Sequence, residues 1–200
     1  MQPLAHDGGM SLRIAVIGLG AWGDTLAGLL RHQGHAIQPW SRRHGGDPAA
    51  VLDKADVALV AVSMAGVRAL APQLAAIWPT GLPLVSCSKG IDLEGLCTPS
   101  QLWRRQRADL PLLVLSGPNL AAELAAGKPA ASVLAGEDSA LARRLQHALS
   151  SERLRLYTNA DPIGTEVAGA LKNVMAIAAG VCDGLEPVSY THLRAHETEA

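Results

Sequence analysis

The chain has 200 residues and a formal net charge of −1, with 48% hydrophobic and 18% charged side chains. This balance is enough for a sizeable buried core and excludes an intrinsically disordered chain. The length suits one domain and part of another. A net charge so close to zero gives no electrostatic reason to expect nucleic acid or an anionic membrane as a partner.

Cysteine usage and hydropathy predict a cytoplasmic protein. The three cysteines, Cys87, Cys97 and Cys182, are odd in number and form no Cys-x-x-Cys pair, which favours a reducing compartment. Residues 1–11 lack the basic cluster and apolar run of a signal peptide. We expect no apolar run to reach the roughly 18 residues that a membrane span needs, and so no membrane insertion.

Short apolar runs alternate with longer stretches rich in Ala and Leu over the first 160 residues. The predicted strands are 12–17, 36–40, 57–62, 84–87, 112–116, 131–135 and 154–157. The predicted helices between them are 22–33, 65–77, 99–107, 120–126 and 139–149. This rhythm predicts an α/β fold with a doubly wound, Rossmann-like parallel sheet, which we assign to a dinucleotide-binding domain of residues 1–160.

A second domain is predicted to begin at residue 161. Asp161 and Pro162 read as a helix cap and a first helical residue, and the helix is expected to continue to about Val181. Its apolar residues recur at helical spacing and predict a buried stripe of Val167, Leu171, Val174, Ile177 or Ala178, and Val181. We interpret 161–186 as the start of a truncated all-helical substrate domain.

The last segment, 187–200, has no apolar periodicity and is interpreted as a non-native tail. Its His192 and His196 have a spacing that a helix can use to hold a metal, but no third ligand is evident. We therefore predict no metal site.

The first strand is followed by a glycine motif, Gly18-Leu19-Gly20-Ala21-Trp22-Gly23. Glycines at this strand-to-helix turn permit a tight turn, the approach of backbone amides to a pyrophosphate, and close packing of helix on strand. The anion then lies at a helix N-terminus, where free amides and the helix dipole favour negative charge. The motif predicts dinucleotide binding by Gly18, Gly20, Ala21, Trp22 and Gly23; the alternative is a purely structural turn.

The end of the second strand predicts which dinucleotide is bound. NAD-specific sites usually carry Asp or Glu about 20 residues beyond the glycines. Here Ser41-Arg42-Arg43 occupies that place, and two guanidinium groups beside a hydroxyl suit a 2′-phosphate. We favour NADP over NAD, with solvated loop arginines as the alternative.

Polar residues that could take part in binding or catalysis also follow later strands. Lys89 follows the fourth strand, and Gly117-Pro118-Asn119 follows the fifth, at the sheet edge where ligands bind in such folds. Lys172 is the single charged residue among small and apolar neighbours on the long helix, and a partly desolvated lysine can exchange protons. Taken singly, each of these three features has a plain alternative: the lysines could be ordinary solvent-exposed side chains, and residues 117–119 an ordinary loop before a helix.

Together these segments resemble bacterial-type NAD(P)-dependent glycerol-3-phosphate dehydrogenases from about Leu12 to Glu186. The matching segments are 16–23, 40–43, 88–90, 116–119 and 169–180. The resemblance implies cofactor contacts from Trp22, Arg42, Arg43, Lys89 and Ala121, substrate contacts from Lys89, Gly117, Asn119 and Lys172, and proton transfer by Lys172. Asn119 stands where many members carry a hydroxyl residue.

The activity implied by the resemblance is reversible hydride transfer that interconverts sn-glycerol 3-phosphate and dihydroxyacetone phosphate, with NADP or NAD as cofactor, for glycerophospholipid synthesis. Its partner is a phosphorylated small molecule, and the formation of a homo-oligomer remains one possibility. The family uses a further helical region with an arginine for the substrate phosphate, which nothing after Glu186 resembles. We therefore expect this chain to bind cofactor without closing a competent substrate site.

Two alternatives remain open at this point. One is another dehydrogenase with a helical second domain, such as a ketopantoate reductase or a hydroxyacid dehydrogenase. The other is a dinucleotide-binding sensor without catalysis.

Overall fold

A computed structural model describes residues 11–184, in which seven strands alternate with seven helices. The strands are β1 (Arg13–Ile17), β2 (Ala36–Trp40), β3 (Val57–Val60), β4 (Leu84–Ser86), β5 (Leu112–Ser116), β6 (Ala130–Ala135) and β7 (Leu154–Asn159). The helices are α1 (Ala21–His32), α2 (Pro48–Leu52), α3 (Met64–Ile77), α4 (Pro99–Gln106), α5 (Ala121–Ala125), α6 (Ser139–Leu149) and α7 (Pro162–Gly184). The short helix α2 was not predicted from the sequence. The tail 187–200 lies outside the described residues.

The strands form one sheet in the order β2-β1-β3-β4-β5-β6-β7. Strands β1 to β5 are mutually parallel, and the chain leaves β1 toward one side and β3 toward the other, so the predicted Rossmann-like α/β fold is confirmed. The expectation of a parallel sheet was wrong at β6, which is antiparallel to β5, while β7 is parallel to β6.

The reversal at β6 follows from the length of the helix that precedes it. Helix α5 has five residues and therefore spans only about 7.5 Å, whereas a parallel return needs a crossover that traverses the sheet. The chain consequently re-enters the sheet from the edge at which β5 ends. This places the residues after β5 and the start of β6 close together.

Helices cover the sheet on both faces. Alternate residues of β1 point to opposite faces, so Ile14 and Val16 pack with Leu26 and Leu30 of α1, while Ile17 belongs to the cluster on the other side. That second cluster contains Leu70 and Leu74 of α3 and the fully buried Trp103 of α4. Two apolar layers therefore hold the sheet rigid and leave its carboxyl edge open for a site.

Helix α7 begins where the sequence predicts, because Asp161 Oδ1 accepts a 2.8 Å hydrogen bond from the Gly164 amide. The predicted buried stripe was wrong. The side chains of Val174 and Ile177 are 60% and 67% exposed, and Leu171 and Val181 are also exposed. The helix packs on β5, β6 and α4 only through its first turns, so no described element covers the apolar residues beyond them.

Helix α7 also contradicts the expectation that no apolar run is long enough to span a membrane. With 23 residues and a mean hydropathy of 1.2 over 18 of them, it is the one helix among residues 11–184 long and apolar enough to cross a membrane. Core helices of soluble proteins meet the same criterion, so this is weak evidence. The absence of membrane insertion stays a prediction.

Candidate active site

The glycine motif forms the turn between β1 and α1. Gly18 has a φ of +98°, and a Cβ there would lie 2.5 Å from the carbonyl oxygen of Ala61. A Cβ on Gly23 would overlap the carbonyl oxygen of Gly18. Gly20, the N-cap residue of α1, has no atom within 4 Å of its Cβ position. Two glycines are therefore required by packing, and the third leaves the amides of the first helical turn open to an anion.

An open cleft of about 470 Å³ lies against this turn. Arg42 and Arg43 line it, in a tight turn closed by a bridge between Ser41 and Gly45. The Ser41 hydroxyl and His44 Nδ1 are 2.6 Å apart. None of the described residues that line the cleft is acidic. The cleft therefore offers cations and hydroxyls, which suit a phosphate rather than ribose hydroxyls alone. His44 was not singled out from the sequence, although it directly follows the arginines.

A second cleft of about 360 Å³ continues from the first and shares Gly20 and residues 61–63 with it. Besides Gly20, the structure brings five predicted site residues to its wall: Ala21, Trp22, Lys89, Asn119 and Ala121. Cys87 also contributes, but burial raises the pKa of its thiol above the usual range, so the sulfur stays protonated. The two clefts together provide a continuous groove for an extended ligand.

Lys89 projects across this groove. Its Nζ donates a 3.0 Å hydrogen bond to the carbonyl oxygen of Gly117 and lies 5.6 Å from the ring centre of Trp22. The pKa of Lys89 is lowered, first by partial removal from water and then by the positive charge of Lys172. Two positive charges at this end of the groove favour the binding of a negatively charged group.

Lys172 approaches the same place from α7. It is half-buried and lines a third cleft, of about 340 Å³, together with Gly117 and Gly169. Gly117 is required by the approach of β6, because a Cβ there would lie 2.8 Å from the Ala131 carbonyl oxygen. Lys89 thus contacts Gly117 directly, and Lys172 shares a cleft with Gly117.

Asn119 lies on the wall of the second cleft. Its side-chain amide donates a hydrogen bond to the Ser132 hydroxyl of β6, and it shares the second cleft with Lys89 rather than the third with Lys172. The loop after β5 is therefore held by the Ser132 side chain of β6. This contact depends on the antiparallel strand that sequence reasoning did not foresee.

One buried acidic residue was also missed. Glu166 of α7 is 4% exposed and accepts hydrogen bonds from the amide and hydroxyl of Ser100, at the start of α4. Burial raises the pKa of Glu166, and the hydrogen bonds from Ser100 together with the nearby hydroxyls of Thr98 and Ser86 oppose that change. The sequence carries no clear signal for this contact, because glutamate on a helix is usually exposed.

The glycine turn at the switch point of the sheet and the cationic groove define the class: a dinucleotide-binding α/β domain of the dehydrogenase type. A family model described as the NAD-dependent glycerol-3-phosphate dehydrogenase N-terminus matches residues 44–142. The model described as the C-terminus of the same family matches residues 161–194. The chain belongs to the NAD-dependent glycerol-3-phosphate dehydrogenase family.

Individual relatives agree with this assignment. Two curated proteins named as NAD(P)+ glycerol-3-phosphate dehydrogenases, from Synechococcus sp. (strain RCC307) and Synechococcus sp. (strain JA-2-3B'a(2-13)), are 53% and 52% identical over 177 residues. A crystal structure of glycerol-3-phosphate dehydrogenase from Coxiella burnetii superposes with a TM-score of 0.77 at 26% identity, covering 90% of this chain and 63% of that one.

The chain spans only part of the length of these proteins. The two Synechococcus alignments cover 88% and 86% of this chain but 58% and 55% of the relatives. The second family match extends past residue 186 into the segment interpreted above as a non-native tail. The domain boundaries at 160 and 186, and the tail itself, stay predictions.

Proposed function

We propose that the protein, when a complete helical substrate domain is present, transfers a hydride reversibly between NADP(H) or NAD(H) and C2 of sn-glycerol 3-phosphate, interconverting it with dihydroxyacetone phosphate. The observation that carries this proposal is the position of two lysines beside the groove of the glycine turn: Lys89 is hydrogen-bonded to the Gly117 carbonyl oxygen, and Lys172 shares a cleft with Gly117. The names of the Synechococcus relatives support the same activity.

The groove residues fit a dinucleotide. Gly18, Gly20 and Gly23 would place the pyrophosphate on the amides at the start of α1, since the open position at Gly20 leaves room that a side chain would fill. Ala21, Trp22 and Ala121 would contact the cofactor in the second cleft. A bound nicotinamide supplies the hydride chemistry.

The cofactor preference proposed here is NADP over NAD. Arg42 and Arg43 would pair with the 2′-phosphate, for which guanidinium groups are geometrically suited. The lack of any carboxylate among the described lining residues supports the same preference, because a carboxylate would repel that phosphate.

The two lysines divide the remaining work. Lys89 would bind cofactor and substrate, with Gly117 and Asn119 completing the substrate contacts. Lys172 would hold a proton for the C2 oxygen and deliver it as the carbonyl is reduced. A positioned proton donor contributes about 10²–10⁴-fold in rate.

The proposal extends to the cellular setting. We infer a cytoplasmic enzyme that acts on a phosphorylated small molecule and supplies glycerophospholipid synthesis. We also infer that it binds no nucleic acid and does not insert into a membrane. Whether it forms a homo-oligomer is left open.

The experiment is a chimera in which residues after 184 are replaced by the corresponding part of the Synechococcus RCC307 relative. We expect the chimera to reduce dihydroxyacetone phosphate with NADPH, followed by the loss of absorbance of the reduced nicotinamide. Lys172→Met should abolish turnover while NADPH binding is kept. The matched control is Lys54→Met, on the loop after α2.

The same assay decides between the alternatives. Reduction of ketopantoate but not dihydroxyacetone phosphate would replace this proposal with a ketopantoate reductase. NADPH binding without turnover of either substrate, unchanged by Lys172→Met, would indicate a sensor.

A further inference from the structure

Few contacts hold helix α7 against the sheet domain. Among its 23 residues, Pro162 and Glu166 are the buried ones. The apolar side chains beyond Lys172, such as Val174 and Ile177, are exposed. The direction of the helix and its rotation about its own axis therefore depend on contacts made in its first turns.

Glu166 makes the most specific of these contacts. Oε1 accepts a 2.9 Å hydrogen bond from the Ser100 amide, and Oε2 accepts one of 2.5 Å from the Ser100 hydroxyl. Ser100 lies in the first turn of α4, where an amide has no partner within the helix and the helix dipole favours an acceptor. The other groups facing the carboxyl are the neutral hydroxyls of Thr98 and Ser86. Two contacts from one planar group to one residue restrict both sliding and rotation of α7.

The helix carries this restriction to the candidate site. Glu166, Gly169 and Lys172 are spaced three residues apart, so each lies about 60° around the axis from the one before. A Cβ on Gly169 would overlap the hydroxyl of Ser116, which shows how closely α7 approaches the end of β5. Lys172 then follows about 9 Å along the axis from Glu166 and reaches the cleft at Gly117.

We propose that Glu166 is a positioning residue, whose two-point contact with Ser100 sets the rotation of α7 and so places the Lys172 ammonium beside Gly117 and Lys89. The proposal rests on the proposed function for the role of Lys172. Glu166 does not line the cleft and transfers no proton to substrate; it acts through Lys172.

The position of Lys172 can be measured without turnover. The chain has four lysines, Lys54, Lys89, Lys128 and Lys172, so selective ¹³C labelling of lysine gives a spectrum that single substitutions can assign. The pKa of Lys89 reports the proximity of Lys172, because that charge lowers it. Lys172→Met should therefore raise the pKa of Lys89. The size of that change is the reference for complete removal of the neighbouring charge.

The test compares two substitutions at the same position. Glu166→Gln keeps an acceptor for the Ser100 amide and a polar atom for its hydroxyl, so the pKa of Lys89 should stay at the wild-type value. Glu166→Ala removes both contacts and should raise the pKa of Lys89 toward the value in Lys172→Met. The signals of Lys54 and Lys128 are internal controls and should not differ from those of the wild-type chain.

A wild-type pKa for Lys89 in Glu166→Ala, or no response to Lys172→Met, overturns the proposal. If Glu166→Ala does not fold, Ser100→Ala decides: it removes one of the two contacts and should shift the pKa of Lys89 in the same direction by a smaller amount. No shift in that variant also overturns the proposal. Since the readout needs no substrate, failure of the chimera to reduce dihydroxyacetone phosphate would leave this result standing.

Discussion

The side-chain nitrogen of Lys89 donates a 3.0 Å hydrogen bond to the carbonyl oxygen of Gly117. This contact joins the loop after β4 to the loop after β5, across 28 residues of sequence. The same nitrogen lies over the ring of Trp22 at the start of α1. Three connections at the carboxyl edge of the sheet are thus held together by one ammonium group.

Replacing Lys89 by Met should weaken NADPH binding by about tenfold, equivalent to about 1.4 kcal/mol. The reason is the loss of a charge-assisted donor, and hydrogen bonds to charged groups contribute about 1.5–3 kcal/mol. Fluorescence titration of NADPH measures the effect. Lys54→Met, which removes the same charge at a residue that does not line either cleft, is the control and should bind as the wild type does. Equal affinities for both variants would contradict a role for Lys89 in binding.

Two glycines of the same turn should respond differently to alanine. Gly18→Ala should lower the free energy of unfolding by about 1–3 kcal/mol, because its φ of +98° and the nearby Ala61 carbonyl oppose a side chain. Gly20→Ala should leave stability near the wild-type value and weaken NADPH binding, since its Cβ would occupy only the open groove. Urea unfolding and NADPH titration separate the two effects. A Gly20→Ala variant with unchanged affinity would contradict pyrophosphate binding at this turn.

Replacing Arg42 and Arg43 together by Ala should reduce affinity for NADPH at least about tenfold and leave affinity for NADH nearly unchanged. The physical reason is that only NADPH carries the 2′-phosphate with which guanidinium groups pair. A matched control is the double substitution of Arg143 and Arg144, an exposed arginine pair on α6. Parallel losses for both cofactors would indicate that Arg42 and Arg43 contact the pyrophosphate or nothing specific.

The raised pKa of Glu166 predicts a pH dependence of stability with a definite sign. Because burial favours the protonated form, the folded state retains a proton that the unfolded chain releases. The resulting stabilisation is present in full below the ordinary glutamate pKa of 4.5 and is lost as pH rises through the folded-state value. Glutamine has no ionisable carboxyl group, so the stability of Glu166→Gln does not include this pH-dependent contribution. The free energy of unfolding of Glu166→Gln relative to wild type should therefore increase with pH and then level off.

Urea unfolding of both proteins between pH 4.5 and 8 measures this difference, and other carboxyl groups cancel in the comparison. A difference that is flat, or that decreases as pH rises, would show that the folded protein does not raise the pKa of Glu166.

Local chemistry was sufficient to predict much of the molecule. The glycine motif, the alternation of strands and helices and the start of α7 at Pro162 depend on neighbours in sequence, and the structure has them where they were predicted. The predicted site residues Trp22, Lys89 and Ala121 follow or precede strands at one sheet edge, where topology alone brings them together.

Long-range packing decided the rest. The antiparallel β6 depends on a helix too short to cross the sheet, and the contact of Glu166 with Ser100 joins residues 66 positions apart. The apolar periodicity of α7 predicted a buried stripe, but periodicity says which residues share a face and not whether another element covers it. Burial and electrostatic environment are properties of three-dimensional neighbours, so the effect of the Lys172 charge on the pKa of Lys89 could be found only from the folded chain.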